Sequence, residues 1–379
     1  MASTYSWHPG NSVVTPDRNL RFQLLPDESL SSFLVRLSHH YGLTPLALSE
    51  FLSPGSRAWS IDTDRLTPRF LVPLSNWSGI SLEQLSHTTV RYYENLAGEV
   101  RHKQDSVRPW FTTVGVRNRK REAGFSYCPI CLAESPLPYL RIYWRFAWHT
   151  ECIKHSRGLL DCCQQCHEPL KPHLQKPETQ SLSVCYFCGF DARNAKAPPI
   201  NLSASNIQNE LDTLLLSGGA MVGKHHLNCS DFFGYVSFWI TFLRRARRVK
   251  TGALCQFLSR LPFRLPAVNE LSKGWRFEKL PVSERSFLMQ GVSYIIRMEL
   301  EEIRFQLSDM GFSKQTLMGD QRSVPEILME VVNDLPDNPR VRSNNSNKND
   351  IRATPKYLVA RKMKKLIIKF GIRKNALRS

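Results

Sequence analysis

Apolar residues recur three and four positions apart over most of this chain, which predicts helices. In PDESLSSFLVRLSHHYG, residues 26–42, they are Leu30, Phe33, Leu34, Leu37 and Tyr41, with Asp27 placed to cap the helix and Gly42 to stop it. Thr44 can cap a second helix that has Pro45 at its first position and Leu46, Ala47, Leu48 and Phe51 to bury. The two make a helix-turn-helix shape. Further helices are predicted over 68–76 and 81–96, the second opened by Ser81 and Gln84 at capping-box spacing. After Pro198 the pattern returns over 205–216, 231–248, 252–260, 283–307 and 325–333, with a stop at Gly311 and a restart at Ser313.

Two stretches break this periodicity. Residues 125–190 carry most of the cysteines, and 333–354 are a run of Asn, Asp, Ser and Pro that reads as a linker. The expected organisation is therefore mostly α. It runs as an extended arm (1–22), a helix-turn-helix-like domain (23–120), a tandem metal-binding region (121–200), a C-terminal helical domain (201–334), a linker (335–354) and a basic amphipathic tail (355–379).

The second helix, TPLALSEFL, has no Lys or Arg, whereas a helix that reads the major groove presents Arg, Lys, Asn or Gln to phosphates and base edges. Groove reading is thus disfavoured. Docking on a protein through Leu46, Leu48, Glu50 and Phe51 and a purely structural role both stay open.

Charge adds a second theme. The net charge is +18, and residues 341–379 hold 12 Lys or Arg against the single Asp350. In PKYLVARKMKKLIIKFG, Val359, Met363, Leu366, Ile367 and Phe370 form one helical stripe beside the basic residues. Lys356, Arg361, Lys362, Lys364, Lys365, Lys369, Arg373 and Lys374 are the candidate nucleic-acid contacts. An acidic protein groove, an anionic membrane surface or simple solvation would suit the same segment. The longest apolar run, Phe232 to Leu243, falls well short of the roughly 20 residues that span a bilayer, so no membrane segment is expected. The first residues show no secretory pattern, and the chain reads as cytoplasmic.

Ten cysteines in 379 residues are too sparse for a disulfide scaffold, and in a reducing compartment paired cysteines more often hold metal. Cys128 and Cys131 are followed by Cys152 and His155, the two-knuckle spacing that closes a tetrahedral zinc site. Cys163, Cys166, Cys185 and Cys188 repeat that pattern, with Cys162 a rival for Cys163. Each set supplies four ligands and leaves no open position for water, so two structural zinc ions are expected and no catalytic one. No H-E-x-x-H occurs, nor an H-x-E paired with the knuckles, and no catalytic residue is assigned. Cys229 and Cys255 read as ordinary thiols, and His149, His167 and His173 as surface or packing residues. Between the first knuckles, Tyr139, Tyr143, Trp144, Phe146 and Trp148 alternate with Arg141 and Arg145, which suits either base stacking or packing onto the helical domains.

The order LPDESLSSFLVRLSHHYGL, then FSYCPICLAESPLPYLRIYWRFAWHTECIKHSRGLLDCCQQCHEPL, then CYFCG resembles the TniQ family of transposon target-selection proteins, which includes TnsD. The resemblance covers roughly residues 22–190. It implies a non-enzymatic adaptor that links a target recogniser to an AAA+ ATPase regulator of the transposase. Some members bind a DNA site through added C-terminal domains. Others sit as a homodimer on a Cascade-like CRISPR effector whose guide RNA reads the target DNA. The uncharged second helix favours the RNA-guided kind, and the basic tail keeps direct DNA binding as the alternative.

Overall fold

Ser29, not Asp27, opens the first helix in the computed structural model. Asp27 has a left-handed backbone (φ 55°), and its carbonyl accepts the Ile142 N–H at 2.7 Å. The turn at Pro26 and Asp27 therefore belongs to a contact with the cysteine-rich region, and α1 spans Leu30–His40. It ends where expected, with Gly42 at φ 66°. The described residues are 22–59, 62–98, 109–112, 124–175, 177–179, 181–266, 275–321 and 323–337. Nearly all of the expected arm, most of the linker and the whole basic tail lie outside them.

The architecture is mostly helical. Thr44 caps α2 (Pro45–Leu52) as predicted, its Oγ1 accepting the Ala47 N–H. Trp59 fastens α2 by donating its indole N–H to the Pro45 carbonyl and Ser49 Oγ. α3 spans Pro68–Ser78 and stops at left-handed Gly79. The single helix expected over 81–96 is two, α4 (Leu82–His87) and α5 (Val90–Leu96). Thr88 and Thr89 make the break. Their hydroxyls donate to the Leu85 and Ser86 carbonyls, and Thr89 then caps α5 through the Tyr92 N–H. The Ser81–Gln84 capping box is present.

The cysteine-rich region holds α6 (Pro129–Glu134) and a short antiparallel pair, β1 (Glu151–Cys152) and β2 (Arg157–Gly158). Then follow α7 (Leu202–Ser217), α8 (Cys229–Ala246), α9 (Ala253–Arg260), α10 (Val282–Ile295), α11 (Leu300–Asp309), α12 (Lys314–Met318) and α13 (Met329–Asn333). The helix expected over 283–307 is divided between α10 and α11 because its apolar stripe serves two partners. Leu288, Met289 and Val292 of α10 are buried where it packs on α7 and α8, whereas Ile303 and Leu307 of α11 are buried where it meets α13. Gly291 permits the close approach of α10 to α8, since a Cβ there would lie 2.6 Å from Leu243 Cδ1. Over 325–333 only the last turn is α, preceded by a 3-10 turn at Glu326–Leu328.

One hairpin went unpredicted: β3 (Gly219–Val222) and β4 (His225–Asn228). Its runs are too short for alternation to show, and the Gly223–Lys224 turn was its one local sign.

Three apolar clusters organise these elements. The first gathers α1, α2, α3 and α4, with Leu182 from the cysteine-rich region added. The second lies at the first cysteine set, around Phe125, Tyr127 and Trp144. The third joins α7 to α13 with Ile142, Phe146 and Trp148, which come from between Cys131 and Cys152. That one segment is shared among the parts of the fold.

Candidate metal centres and the segment between their ligands

Cys128 is the N-cap of α6 and Cys131 lies in its first turn, which turns both thiols to one side. Cys152 ends β1, and His155 lies in the turn that leads to β2. His155 Nδ1 is 3.5, 3.3 and 3.4 Å from the sulfurs of Cys128, Cys131 and Cys152, and the Cys131 and Cys152 sulfurs are 3.7 Å apart. A tetrahedron with metal–sulfur bonds of about 2.3 Å and a metal–nitrogen bond of about 2.0 Å has S···S edges near ~3.8 Å and S···N edges near ~3.5 Å. The donors therefore stand where a four-coordinate ion of that size places them. The other imidazole nitrogen, Nε2, is 2.9 Å from Glu134 Oε1 but not in hydrogen-bond geometry, so the carboxylate stands beside the ring as a charge.

The second set forms two turns of the same design. Cys163 N–H donates to the Glu168 carbonyl and His167 N–H donates back to the Cys163 carbonyl; Cys185, Phe190 and Gly189 repeat both bonds. Sulfur pairs Cys163–Cys188 and Cys166–Cys185 are 3.6 and 3.7 Å apart. The fourth residue after the first cysteine has a positive φ in both turns, His167 at 60° and Gly189 at 75°, and Ser156 at 49° holds that place after Cys152. Three of the four ligand pairs thus share one knuckle, while the Cys128 pair is built on a helix. All donor atoms of each set lie within 4.8 Å of one another, so each could hold a metal ion. Cys163, not Cys162, joins the second set; the Cys162 carbonyl accepts the Tyr127 hydroxyl at 3.0 Å.

The aromatic and basic segment between the first ligands is packed. Trp144, Phe146 and Trp148 are buried, and Trp148 meets Trp110, Phe111 and Phe233 edge to face. Arg141 lies over the Tyr139 ring at 5.0 Å. Arg145 is fully buried. Its guanidinium reaches Asp62 at 2.5 Å, a still closer Asp64 oxygen, and the Thr112 carbonyl. Burial works against its charge, but the two aspartates outweigh that and raise its pKa. Burial raises the pKa of Asp64, with the Arg145 charge opposing; Asp64 also accepts the Ser31 N–H and hydroxyl at the start of α1. One guanidinium thereby ties the segment to the helix-turn-helix-like part.

On its other side the segment is read by α7 and α10. Gln208 accepts the N–H groups of Thr150 and Glu151 at 3.0 and 3.1 Å and donates to the Glu151 carbonyl. Asp212 accepts from Trp148 Nε1 at 2.8 Å and lies 2.7 Å from His149 Nε2. Buried Arg285 donates to the Leu280 and Ala147 carbonyls and to Ser126 Oγ; burial lowers its pKa to about 10, with Asp161 and Glu278 partly opposing. The bonds to the segment were not foreseen, because they are made by lone polar residues on otherwise ordinary helices and span 57 or more positions in sequence. The Asp62-x-Asp64 pair and the Arg between aromatics were visible signs, but not of each other.

His149 and His173 are buried, as the packing reading expected, with His173 stacked on Trp59. His167 is exposed. Cys229 is buried and Cys255 half-buried. Of the docking candidates, Leu46, Glu50 and Phe51 are exposed; Leu48 is fully buried because it is on the α2 face that packs against α1, so it supports the surface and does not line it. The candidate nucleic-acid residues from Lys356 to Lys374 lie outside the described residues. Among the described residues no helix is long and apolar enough to cross a membrane.

Residues 19–159 match the family model TniQ, a stretch that takes in α1 to α6 and the whole first cysteine set. No curated protein matches the chain.

Proposed function

The chain belongs to the TniQ family through residues 19–159, and from that premise we propose that it is a non-enzymatic adaptor of transposition target selection that docks on a Cascade-like, RNA-guided effector and recruits an AAA+ ATPase and its transposase. The family match is the observation that carries the reading. The role in target selection follows from it directly; the effector, the ATPase and a homodimeric state are the finer steps of the proposal. Support for docking comes from α2, whose outer side offers Leu46 and Phe51, each about half exposed at 55% and 51%, and no Lys or Arg.

Zinc is the proposed ion at both sets. Three cysteines with one histidine, and four cysteines, are soft donors that complete a tetrahedral shell, and such a shell leaves no position for a reacting water. The ions would hold the fold and carry no chemistry, which agrees with a non-enzymatic role.

Co-expression with the neighbouring genes of its locus, followed by affinity purification, tests the proposal. Recovery of effector subunits with a guide RNA is the expected result. A protein that comes away alone and then binds one DNA sequence at moderate salt would instead favour the alternative, direct recognition of a DNA site, which the net charge of +11 in residues 341–379 keeps open.

A further inference from the structure

From Phe232 to Asn269 the chain has no acidic residue, yet it has Arg244, Arg245, Arg247, Arg248, Lys250, Arg260 and Arg264. The fold gathers several of these at the end of α8. Arg244 donates to the Trp275 carbonyl, and Arg247 donates to the Pro266 carbonyl at 2.8 Å. Those two clasps bring the 264–266 and 275–276 segments against the last turn of α8, and with them Arg264 and Arg276.

Glu278 and Glu284, the carboxylates beside Arg244 and Arg247, are both buried, whereas Asp309 and Asp320, beside Arg260 and Arg245, are exposed. Glu284 is 3.3 Å from Arg247, and Glu278 accepts the Trp110 N–H at 2.8 Å. Arg245 is engaged by the Thr316 and Leu317 carbonyls and Arg260 by Asp309. Arg248, Lys250 and Arg264 are exposed, and their side chains make no hydrogen bond or ion pair with the described residues. Among the described residues, Arg248, Lys250 and Arg264 thus face water without a carboxylate partner.

We propose that this face, centred on Arg248, Lys250 and Arg264 with Arg244 and Arg276 beside them, binds the phosphodiester backbone of nucleic acid. Guanidinium groups match phosphate oxygens two at a time, and Arg244 is already held by its backbone clasp, so little freedom is lost when a phosphate arrives. A protein partner fits the face less well, because an interface core needs apolar anchors and Val249 is the one large apolar residue exposed on the 244–250 stretch. The face lies among the described residues, and none of its residues is in the basic tail. It does not depend on the effector-docking proposal.

The test is fluorescence anisotropy of the full-length chain with a labelled duplex DNA and a labelled hairpin RNA over a series of KCl concentrations. The triple variant Arg248→Glu, Lys250→Glu, Arg264→Glu should lower affinity by about tenfold or more at low salt and reduce the slope of log K against log salt by about 2 to 3, close to one unit for each phosphate that is no longer neutralised. The probe whose affinity falls further identifies the source of the phosphates. Milder Gln substitutions at the same three positions should give the same order of effect at smaller size, with unchanged thermal unfolding. Affinity and slope equal to those of the unaltered chain for both probes would overturn the proposal, as would binding abolished only when Lys362, Lys364 and Lys365 are changed to Gln. Neither result involves the effector complex, so failure here leaves the adaptor reading standing.

Discussion

The two cysteine sets share ligand chemistry and knuckle geometry but differ in what passes between their ligands. In the first, the connecting segment contributes Ile142, Phe146 and Trp148 to the C-terminal core and Arg145 to the N-terminal part. In the second, Tyr186 and Phe187 stand at the knuckle tip with Phe187 69% exposed, and the module reaches the N-terminal part through Leu182 and the His173–Trp59 stack. A metal site stabilises as much structure as its ligand loop carries. The first should hold the protein together and the second mainly itself.

The strongest break of this comparison is Cys152→Ser set beside Cys185→Ser. Metal binding at such sites is worth about 10 kcal/mol or more of folding free energy. Cys152→Ser should therefore lose native helicity and cooperative unfolding, seen by circular dichroism, along with one zinc by metal analysis. Cys185→Ser should also lose one zinc, yet keep most of its helical signal. Equal losses of helicity in the two variants would remove the distinction between the sites.

Arg145→Met comes next. It leaves buried Asp64 without a cation beside Asp62, which keeps only Arg65 at 3.9 Å, and breaking a buried pair in this way costs about 3–5 kcal/mol. The variant should also respond to acid in a way that identifies the cause. Removing the Arg145 charge, the main influence that lowers the pKa of Asp64, raises that pKa further above its unfolded value. The folded variant then binds more protons than the unfolded chain, so its deficit is largest near neutrality and shrinks as pH falls through the raised folded-state pKa of Asp64, before the unfolded carboxylate range is reached. Chemical denaturation at two pH values measures this. A deficit that did not change with pH would point to weakened packing and not to an unpaired charge.

The same contrast explains what could be read from the sequence. Both clusters of donors that could hold a metal were legible because chelation demands close pairs at fixed spacing, and α1 to α3 because their apolar stripes and Thr44–Pro45 or Gly stops are local. The break at Thr88–Thr89 was not, since a hydroxyl that takes a backbone carbonyl does not disturb the apolar period. Nor was the start of α1, which is set by Ile142 capturing the Asp27 carbonyl 115 positions away in the chain. The Arg145–Asp62–Asp64 knot and the Gln208 clamp depend on which surfaces meet, and a single sequence holds no record of that. The alternating aromatic and basic segment showed its chemistry plainly while leaving its direction, inward or outward, undecided.

Gln208→Leu sharpens the comparison at smaller scale. It removes the side chain that satisfies the N–H groups of Thr150 and Glu151 just before Cys152, and stranded buried donors cost about 1–3 kcal/mol. Amide hydrogen exchange should accelerate at Thr150 and Glu151 and leave the second knuckle unchanged. Faster exchange at Cys185 to Phe190 in this variant would show that the two sites are coupled after all.

The smallest effect is expected at the second knuckle itself. Phe187→Ser alters a ring that buries little, and surface changes of this kind usually fall within about 0.5 kcal/mol. Zinc content should stay at two per chain and the unfolding midpoint should barely move. By contrast Trp148→Ser, at an aromatic between the first ligands that is fully buried, should cost several kcal/mol, since about 3–5 is typical for emptying such a site. If Phe187→Ser destabilised the protein as much as Trp148→Ser does, the second module would have to be counted as part of the core, and its metal as a support of the whole fold and not only of its own loop.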